Sequence, residues 1–352
     1  MADTYTTRVL IGVVESREGG KLQTFFRNFF PFRVQSDREE ILFDVVDKKK
    51  RLAPFVSPLV KGKIMEAWGY VTRVFKPAYL KPKGVVRPTD AIKRLAGEKL
   101  NGEMSMAERR NIHIRNHLFE QDDACDNREE VMCAEALRLG QVTVSGDGYP
   151  TQVISFGRNS AHRIVLSGAD LWSASTATPN DDLEEWAELV RDNGDGAVVT
   201  DWIMGTRAFK AYKNWLKDNE PDLLKILLNA QNRGQTTSLQ MGPQAARKIV
   251  NQGTVGEFQF WTYSDTYQDE DGVTQQVFPK EEVLGVSMDV EGTICYGAIM
   301  DADAGESGLA VMERFPKNWK EADPSAEYVM TQSAPLAVPL RPNATVSAVV
   351  LA

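Results

Sequence analysis

The sequence predicts an α+β fold, in which β-hairpins and helices are segregated rather than strictly alternating along the chain. Apolar residues with helical spacing run from 105 to 140, and two pairs of β-rich segments flank polar turns. Prolines interrupt extended segments towards both ends of the chain. With 352 residues, of which 42% are hydrophobic, the chain can bury the core of two domains or of one elaborated domain.

Charge is distributed unevenly along the chain. Residues 1–94 contain 19 basic and 10 acidic residues, whereas the remainder contains 22 basic and 39 acidic ones, and the net charge is −8. A basic segment on an acidic body could bind nucleic acid, or it could lie on the acidic body of a neighbouring copy. Because the acidic majority repels phosphate, the charge favours the second interpretation.

The first 50 residues indicate an arm that docks onto a surface rather than a separate domain. The segment LQTFFRNFFPFRV contains five phenylalanines between Phe25 and Phe32. Such a cluster must be buried, because it would otherwise form a large adhesive patch. We expect either a strand or short helix in the chain's own core, or a contact with another subunit.

Residues 51–94 predict a long two-stranded projection. Short β-like runs alternate with prolines and glycines, and proline is confined to the edges and ends of sheets. The stretch contains ten basic residues, with Glu66 and Asp90 as its only acids. A hairpin of this kind is marginally stable alone, so the projection needs a surface on which to lie.

Residues 105–140 predict the longest helix, about 50 Å long at 1.5 Å per residue. Ser105 and Glu108 form a capping box at its start, and Gly140 is its stop signal. An apolar stripe runs through Ile114, Leu118, Cys125, Met132, Ala136 and Leu139. We expect the opposite face to be charged and solvated, with Arg109, Arg110, Glu120, Asp122, Asp123, Arg128 and Glu129.

The segments after Gly140 predict shorter elements. QVTVSGDGYPTQVISFG is a hairpin with its turn at 146–148, and residues 181–250 predict helix, strand, helix and a less regular helix. EFQFWTYSDTYQDEDGVTQQVFP predicts a hairpin with a polar tip at 269–272, and strands follow in EVLGVSM and GTICYGAIMD. The C-terminal AEYVMTQSAPLAVPLRPNATVSAVVLA is extended and is broken by prolines.

Few residues in the sequence point to catalysis. His113 and His117 lie four apart on the predicted helix, which suits zinc, but the glutamate of the metalloprotease motif does not follow His113. The sequence contains neither a phosphate-binding glycine loop nor a nucleophile elbow. Cys125 and Cys133 on the helix are typical of buried structural thiols. We therefore predict no enzyme activity, no cofactor and no metal site.

Two acidic segments have simple explanations. DADAGESG, at 301–308, is similar to a fragment of a calcium loop, but its spacing fails after the third acid, which favours a solvated turn. The acids of the segment DDLEE, at 181–185, could form a catalytic carboxylate pair. They also stand at a predicted helix start, where acids interact favourably with the helix dipole, and this is the preferred interpretation.

The cysteine content and hydropathy indicate the compartment. Three scattered cysteines do not form a disulfide framework, which fits a reducing, intracellular environment. The N-terminus lacks the basic and apolar regions of a signal peptide. No apolar run approaches the roughly 20 residues of a membrane span, so we expect no membrane association.

The segment FPKNWKEADPSAEYVMTQSAPL, at 315–336, combines prolines, a tryptophan and a hydroxyl-rich extended run. It resembles the C-terminal region of the lambda-type major capsid proteins of tailed phages, where PKNW precedes Asp-Pro, a β-run and QSAPL. The same order of family motifs continues through the chain. LFFRESYPF, YVSPIVSG, PGYVKPK and QDADA correspond to 25–32, 55–62, 77–83 and 300–304. The resemblance covers nearly the whole chain and departs from the family pattern at about 140–180 and in the C-terminal ten residues.

This resemblance implies the Hong Kong 97-type capsid fold. Its parts would be an N-terminal arm at 1–48, an extended β-hairpin loop at 49–95, a peripheral domain at 96–188 with a spine helix at 105–140, an axial domain at 189–299, and a return to the peripheral domain at 300–352. The PKNW segment would return as a long strand, with its prolines and tryptophan fixing the turn into that strand.

The function implied by the resemblance is that of a major capsid protein. Such a protein self-assembles as pentamers and hexamers into an icosahedral shell that encloses double-stranded DNA without sequence-specific binding, and the shell expands as DNA enters. Implied partners are further copies of the chain, a scaffolding protein, a portal and a decoration protein. The implied location is the virion capsid, with assembly in the host cytoplasm. We expect inter-subunit contacts at Lys61, Lys63, Arg73, Lys76, Lys81 and Lys83, without covalent cross-linking.

Three alternatives of other classes stay open at the sequence level. A bacterial encapsulating shell would share the fold and enclose an enzyme cargo. A DNA-binding accessory protein would use the basic residues 51–94. An enzyme would use His113 and His117.

Overall fold

The computed structural model describes residues 5–15, 24–38, 40–46, 53, 55–56, 59, 61, 70–75, 77–94, 98, 104–146, 148–227, 248–269, 271–304, 308–323 and 325–352. The α-helices of this part of the chain are α1 (Thr7–Glu15), α2 (Pro88–Ile92), α3 (Met106–Leu139), α4 (Pro179–Asn193) and α5 (Thr206–Asn219). Residues 221–227 are also helical. Single 3-10 turns lie at Phe26–Phe29, Ser160–His162, Gly168–Asp170, Met288–Val290 and Pro342–Ala344.

Twenty short strands complete the described elements. The first ten are β1 (Phe32–Gln35), β2 (Ile41–Val46), β3 (Tyr70–Phe75), β4 (Lys83–Val86), β5 (Gln141–Gly146), β6 (Tyr149–Ser155), β7 (Arg163–Val165), β8 (Asp201–Gly205), β9 (Ile249–Val255) and β10 (Phe258–Tyr263). The others are β11 (Thr266–Gln268), β12 (Thr274–Gln276), β13 (Glu282–Val286), β14 (Gly292–Tyr296), β15 (Ile299–Met300), β16 (Leu309–Ala310), β17 (Phe315–Glu321), β18 (Ala326–Gln332), β19 (Pro335–Pro339) and β20 (Thr345–Val349). The mixture of helices and separate antiparallel sheets confirms the α+β class.

The long helix α3 has the ends that the sequence predicts. Ser105 Oγ accepts a hydrogen bond from the Glu108 amide, and Glu108 accepts one from the Ser105 amide at 2.7 Å, which together form a capping box. At the other end Gly140 is left-handed, and its amide donates to the Ala136 carbonyl. Arg158 donates to the carbonyl oxygens of residues 137 and 138 and so satisfies the last turn.

The predicted apolar stripe of α3 is mostly correct. Ile114, Leu118 and Cys125 are buried, as are Met132 and Ala136. Leu139 is only half-buried, and Leu137 fills the core in its place. Because a helix turns 100° per residue, the shift by two positions places Leu137 towards the neighbouring sheets at this end.

The largest sheet has the strand order β7-β20-β13-β8-β10-β9 and helical segments on both faces. On one face Trp186 of α4 packs on Trp202 at 6.3 Å between ring centroids, and Tyr212 of α5 stacks on Phe260 at 5.5 Å. The register pairs Phe260 with Trp202, so both helices cover the same face. The helix–strand–helix order predicted for 181–219 is confirmed, whereas residues 228–247 lie outside the described residues.

The other face of this sheet receives the phenylalanine cluster. Phe26 is fully buried, with its ring 4.8 Å from Tyr263 and 6.0 Å from Phe278. Phe25, Phe29 and Phe30 are also buried, whereas Phe32 on β1 is exposed. The first of the two interpretations of this cluster is therefore correct for four of the five rings, because they fold as a 3-10 turn into the chain's own core.

The segment at 315–336 forms a hairpin and the start of another strand. β17 pairs with β18, which pairs in turn with β4, while β19 pairs with β14 in a sheet that also contains β1. Trp319 lies within β17 opposite Tyr328, so the prediction that it fixes a turn is wrong. Pro335 and Pro339 bound the edge strand β19 rather than break it, because an edge strand tolerates the missing donor.

Four further antiparallel pairs among the described residues are isolated ribbons, one of them the short pair of β15 and β16. β5 pairs with β6 and β11 pairs with β12, as the turn residues predict. The strand β10 of the second predicted hairpin instead joins the large sheet, where it pairs with β8 and β9. β2 pairs with β3 in a ribbon whose connecting residues, 47–69, are described only in part.

Replacement of Gly140 by alanine should destabilise the fold by about 2–5 kcal/mol, because two costs add. Its φ of 65° is unfavourable for a residue with a Cβ, by about 1–2 kcal/mol, and the Cβ would lie 2.6 Å from Arg158 Cβ, which adds an overpacking cost of about 1–3 kcal/mol. Gly148→Ala is the matched control, because Gly148 has φ of 78° but an open surrounding. Urea unfolding measures both, and equal losses would contradict the close packing at Arg158.

Candidate inter-subunit surfaces

Two arginines from distant segments converge on one side of α3. Arg27, from the phenylalanine turn, contacts Asp126 at 2.9 Å and Glu129 at 3.2 Å. Arg314, directly before β17, contacts Glu129 at 2.7 Å, Asp126 at 3.0 Å and Asp122 at 3.4 Å. All five side chains are largely shielded from solvent. The pairing offsets the cost of burying these charges and ties both segments to α3.

Glu130 adds a second attachment of the N-terminal segment. Its carboxylate accepts hydrogen bonds from the amides of Phe25, Phe26 and Arg27 at 2.8, 2.9 and 3.1 Å, at the start of the 3-10 turn. Tyr263 also donates to it, at 3.3 Å. Burial raises the pKa of Glu130, although these hydrogen bonds favour its charged form. We call Arg27, Arg314 and the four acids Asp122, Asp126, Glu129 and Glu130 the helix charge cluster.

The sequence analysis placed two of these acids wrongly. It assigned Asp122 and Glu129 to a solvated face, but both are buried. Their positions show the reason, because Asp122 follows Leu118 by four residues and Glu129 follows Cys125 by four. They therefore continue the apolar stripe, and the spacing of acids at 122, 126 and 129 was the available signal for a buried ionic contact.

A strongly exposed apolar tip lies on the segment between β2 and β3. Phe55 is 103% exposed and Leu59 is 96% exposed. Large apolar side chains that protrude in this way from one chain commonly mark a contact with another protein. Neither β2 nor β3 belongs to a larger sheet among the described residues, and Ile41 with its paired residue Phe75 is buried in the core at the start of the ribbon.

Three of the six basic residues predicted to make contacts have side chains that the structure describes. Lys61 is exposed close to the apolar tip. Arg73 belongs to β3, and its side chain is not described, while Lys63 and Lys76 lie outside the described residues. Lys81 Nζ lies 5.0 Å from the centre of the Tyr79 ring. The contacts predicted for these six residues therefore stay a prediction.

Lys83 contacts the outer side of the β17–β18 hairpin. The rings of Trp319 and Tyr328 stack with their centroids 5.5 Å apart. Lys83 Nζ lies 3.7 Å from the centre of the Tyr328 ring and 5.0 Å from that of Trp319. This cation–π contact holds β4 to the hairpin across the sheet surface. It was not predicted, since it joins residues more than 200 positions apart.

The structure shows where several histidines and cysteines of the chain lie and what they contact. His117 lies 3.5 Å from Glu120 on α3, and His162 is buried with Nδ1 at 2.8 Å from the Thr345 carbonyl oxygen. Among the described residues, no group of histidine, cysteine and acidic side chains is arranged to hold a metal ion. Burial raises the pKa of Cys125 to about 12 and that of Cys295 to about 11, which keeps both thiols protonated and unreactive.

The acidic turn at 301–304 is occupied by a lysine. Lys317 Nζ contacts Asp301 at 2.9 Å and Asp303 at 2.5 Å, and Gln332 donates to Asp301 at 2.5 Å. Burial opposes ionisation of Asp301, but these contacts outweigh it and lower its pKa. The acidic side chains of the turn therefore attach it to the β17–β18 hairpin.

Among the described residues, no helix is long and apolar enough to cross a bilayer.

The sequence has relatives along its whole length. A sequence model of the family described as phage major capsid protein E matches residues 6–350. The major capsid protein of Escherichia phage lambda is 30% identical over 354 residues, which cover 97% of this chain and 98% of that protein. The major capsid protein of Enterobacteria phage P21 is 29% identical over 341 residues, which cover 95% of each chain.

Solved structures show the same architecture. A crystal structure of a prophage capsid protein from E. coli CFT073 superposes with a TM-score of 0.75 at 23% identity and covers 100% of both chains. The capsid of Ralstonia phage GP4 gives a TM-score of 0.52 at 9% identity, over 95% of this chain and 94% of that one. The chain therefore has the fold of phage capsid proteins, as the sequence predicts.

Replacement of Arg314 by methionine should lower the free energy of unfolding by about 3–5 kcal/mol, because it removes one of the two arginines that pair with the buried carboxylates of the helix charge cluster. Arg33→Met is the control, since Arg33 pairs with Glu313 at 2.7 Å on the surface and should cost no more than about 1 kcal/mol. Chemical unfolding measures both. A loss for Arg314→Met as small as that of the control would show that the cluster does not hold the fold.

Glu282 should make stability depend on pH in the acid range. Burial opposes its ionisation, but Arg163 at 2.7 Å and Arg138 at 3.1 Å outweigh burial and lower its pKa. Because the folded pKa lies below the unfolded value of about 4.3, its contribution is present above that pH and is lost as the pH falls through the folded pKa. Glu282→Gln should flatten this part of the stability curve. An unchanged slope below about pH 4.3, measured by urea unfolding, would contradict the assignment.

Proposed function

Because this chain belongs to the phage major capsid protein E family and is a major capsid protein that forms the head shell, we propose that it assembles as pentamers and hexamers into an icosahedral shell around double-stranded DNA. The observation that carries this proposal is the end-to-end match to the family, over residues 6–350. A match that covers almost the whole chain supports a likeness of the whole subunit rather than of one site. The role is structural, without a catalysed reaction.

The proposed parts of the subunit follow the sequence analysis. Residues 1–48 serve as an N-terminal arm, 49–95 as the extended loop, 96–188 and 300–352 as the peripheral domain, and 189–299 as the axial domain. In support, α3 is a 34-residue helix that contacts the turn at Phe26–Phe29 and the β17–β18 hairpin through the helix charge cluster. The strand β2, at Ile41–Val46, belongs to the proposed arm and pairs with β3 of the proposed loop.

The extended loop lies on a neighbouring copy in the shell. Its exposed tip at Phe55 and Leu59 supplies an apolar contact, because burial of such side chains drives association. The basic residues Lys61, Lys63, Arg73, Lys76, Lys81 and Lys83 set its register against the acidic remainder of the next subunit. Many weak contacts of this kind act together in a closed shell.

The finer partners and location are part of the same proposal. The shell assembles in the host cytoplasm with a scaffolding protein and a portal, and a decoration protein binds its surface. Its DNA content is enclosed without sequence-specific contacts, since an acidic subunit binds phosphate weakly. Expansion of the shell on DNA entry requires an element with two packings, for which the loop ribbon and α3 are the candidates.

Removal of the apolar tip should block shell formation and leave the single subunit folded. The variant is Phe55→Ser with Leu59→Ser. Because both side chains are fully exposed in the single subunit, the free energy of unfolding of this variant should stay within about 0.5 kcal/mol of the wild-type value. Met106→Ser with Met288→Ser is the control, because both methionines are similarly exposed but lie outside the loop. Negative-stain electron microscopy counts closed shells. Shells from the tip variant at wild-type yield would refute the docking of the loop.

A further inference from the structure

The exposed side of α4 is strongly acidic. It carries Asp181, Glu184, Glu185, Glu188 and Asp192, with Arg191 as the single basic residue of the helix. Only Asp181 lies in the first turn, where the helix dipole stabilises an acid, and this effect fades beyond that turn. The others form a stripe with spacings of three and four residues. Among the described residues, none of these five acids has an ion-pair partner.

The exposed side of α5 is basic. Arg207, Lys210, Lys213 and Lys217 are all exposed and recur at spacings of three and four residues, so they share one side of the helix. Arg207 pairs with Glu281 at 2.6 Å. Within the described part of the chain, the three lysines have no ion-pair partner. Asp218 is the single acid of α5.

The two helices occupy different positions on the same sheet. α4 contacts β20 at one side of the sheet order β7-β20-β13-β8-β10-β9, whereas α5 contacts β8 and β10 towards the other side. Their apolar sides are buried on the sheet through Trp186 and Tyr212. Both helices lie on the same face of the sheet, and Tyr212 of α5 donates a hydrogen bond to Asn180 of α4 at 2.9 Å. Within the described residues no ion pair joins the acidic stripe to the basic one, so each stripe is left to attract an oppositely charged surface of another copy.

We propose that the acidic stripe of α4 in one subunit docks against the basic stripe of α5 in the next subunit around a capsomer. Such a head-to-tail contact uses two different surfaces of each copy and closes into a ring when the rotation permits. This inference rests on the proposed assembly into pentamers and hexamers. The occupant is a second copy of this chain, because each stripe finds a complementary one of similar length on that copy.

The charges fix register and orientation in this interface. Opposite potentials steer the encounter, and like charges placed opposite each other reject the wrong arrangement. The contact is exposed and therefore screened, so the rate of assembly should fall as salt is raised. A subunit that carries both stripes therefore offers complementary charge to each of its two neighbours in the ring.

The test reverses each stripe separately and then both together. The first variant is Lys210→Glu with Lys213→Glu and Lys217→Glu, the second is Glu184→Lys with Glu185→Lys and Glu188→Lys, and the third combines all six changes in one chain. Each of the first two should lose closed shells in negative stain, because α4 and α5 then carry charges of the same sign. The combined variant should recover closed shells. Glu257→Lys with Asp271→Lys, at exposed turns of the same domain, is the control for added positive charge and should form shells normally.

A mixture of the first two variants gives the sharpest readout. One variant carries acidic charge on both α4 and α5, and the other carries basic charge on both, so each copy attracts only copies of the other variant. The two kinds of copy must therefore alternate around the ring, which is possible with six members and impossible with five. The mixture should therefore form hexamers that grow into tubes or flat sheets, without closed shells.

Two results would overturn the inference. One is closed shells from either reversed variant alone. The other is a combined variant that forms no closed shells although its unfolding midpoint is unchanged. Absence of shells from the wild-type chain would instead refute the proposed function, and the inference with it.

Discussion

The helix charge cluster is the contact on which the rest of the subunit depends. Arg27 and Arg314 lie almost 290 residues apart, and both reach the carboxylates of α3. Burial of charge is unfavourable unless each group is paired, so the cluster is favourable only in the one arrangement that satisfies its members. It thereby fixes the N-terminal segment and the β17–β18 hairpin to the same side of one helix. Glu130 fixes the backbone of the phenylalanine turn in the same way, because its carboxylate accepts hydrogen bonds from the amides of that turn.

This arrangement separates the part of the chain that must be rigid from the part that is left to contact neighbours. The large sheet buries Trp202 and Phe260 beneath α4 and α5 on one face and receives Phe26 on the other. The ribbon of β2 and β3 reaches the core only at Ile41 and Phe75 among its described side chains, and Phe55, on the segment between the two strands, is fully exposed. A subunit of a large assembly needs both, since a firm body sets the geometry of the shell and the projecting segments join the copies.

Local signals were sufficient for the elements with strong ends or turns. The capping box at Ser105, the left-handed Gly140 and the turn at 146–148 are each encoded within a few residues, and the structure confirms all three. The order of the C-terminal motifs identified the family, which the match over 6–350 confirms. Trp319 was placed wrongly in a turn, because its position depends on pairing with Tyr328 across the hairpin rather than on its neighbours in sequence.

Contacts between residues far apart in the chain could not be predicted from the sequence. Burial of Asp122 and Glu129 depends on two arginines whose approach is set by the whole fold, and hydropathy assigns such acids to solvent. The contact of Lys83 with the stacked rings of Trp319 and Tyr328 is of the same kind. The domain limits stay a prediction. The six proposed loop contacts also stay predictions, since they involve neighbouring copies that the structure of one chain does not include.

A structure of the assembled shell would test the central claim, that the projecting segment joins copies while the body stays fixed by the charge cluster. Electron cryomicroscopy of shells formed by the wild-type chain should show Phe55 buried against an adjacent subunit, with Arg27 and Arg314 still paired to α3. A shell in which Phe55 remained in solvent, or in which the two arginines had left α3, would contradict the account.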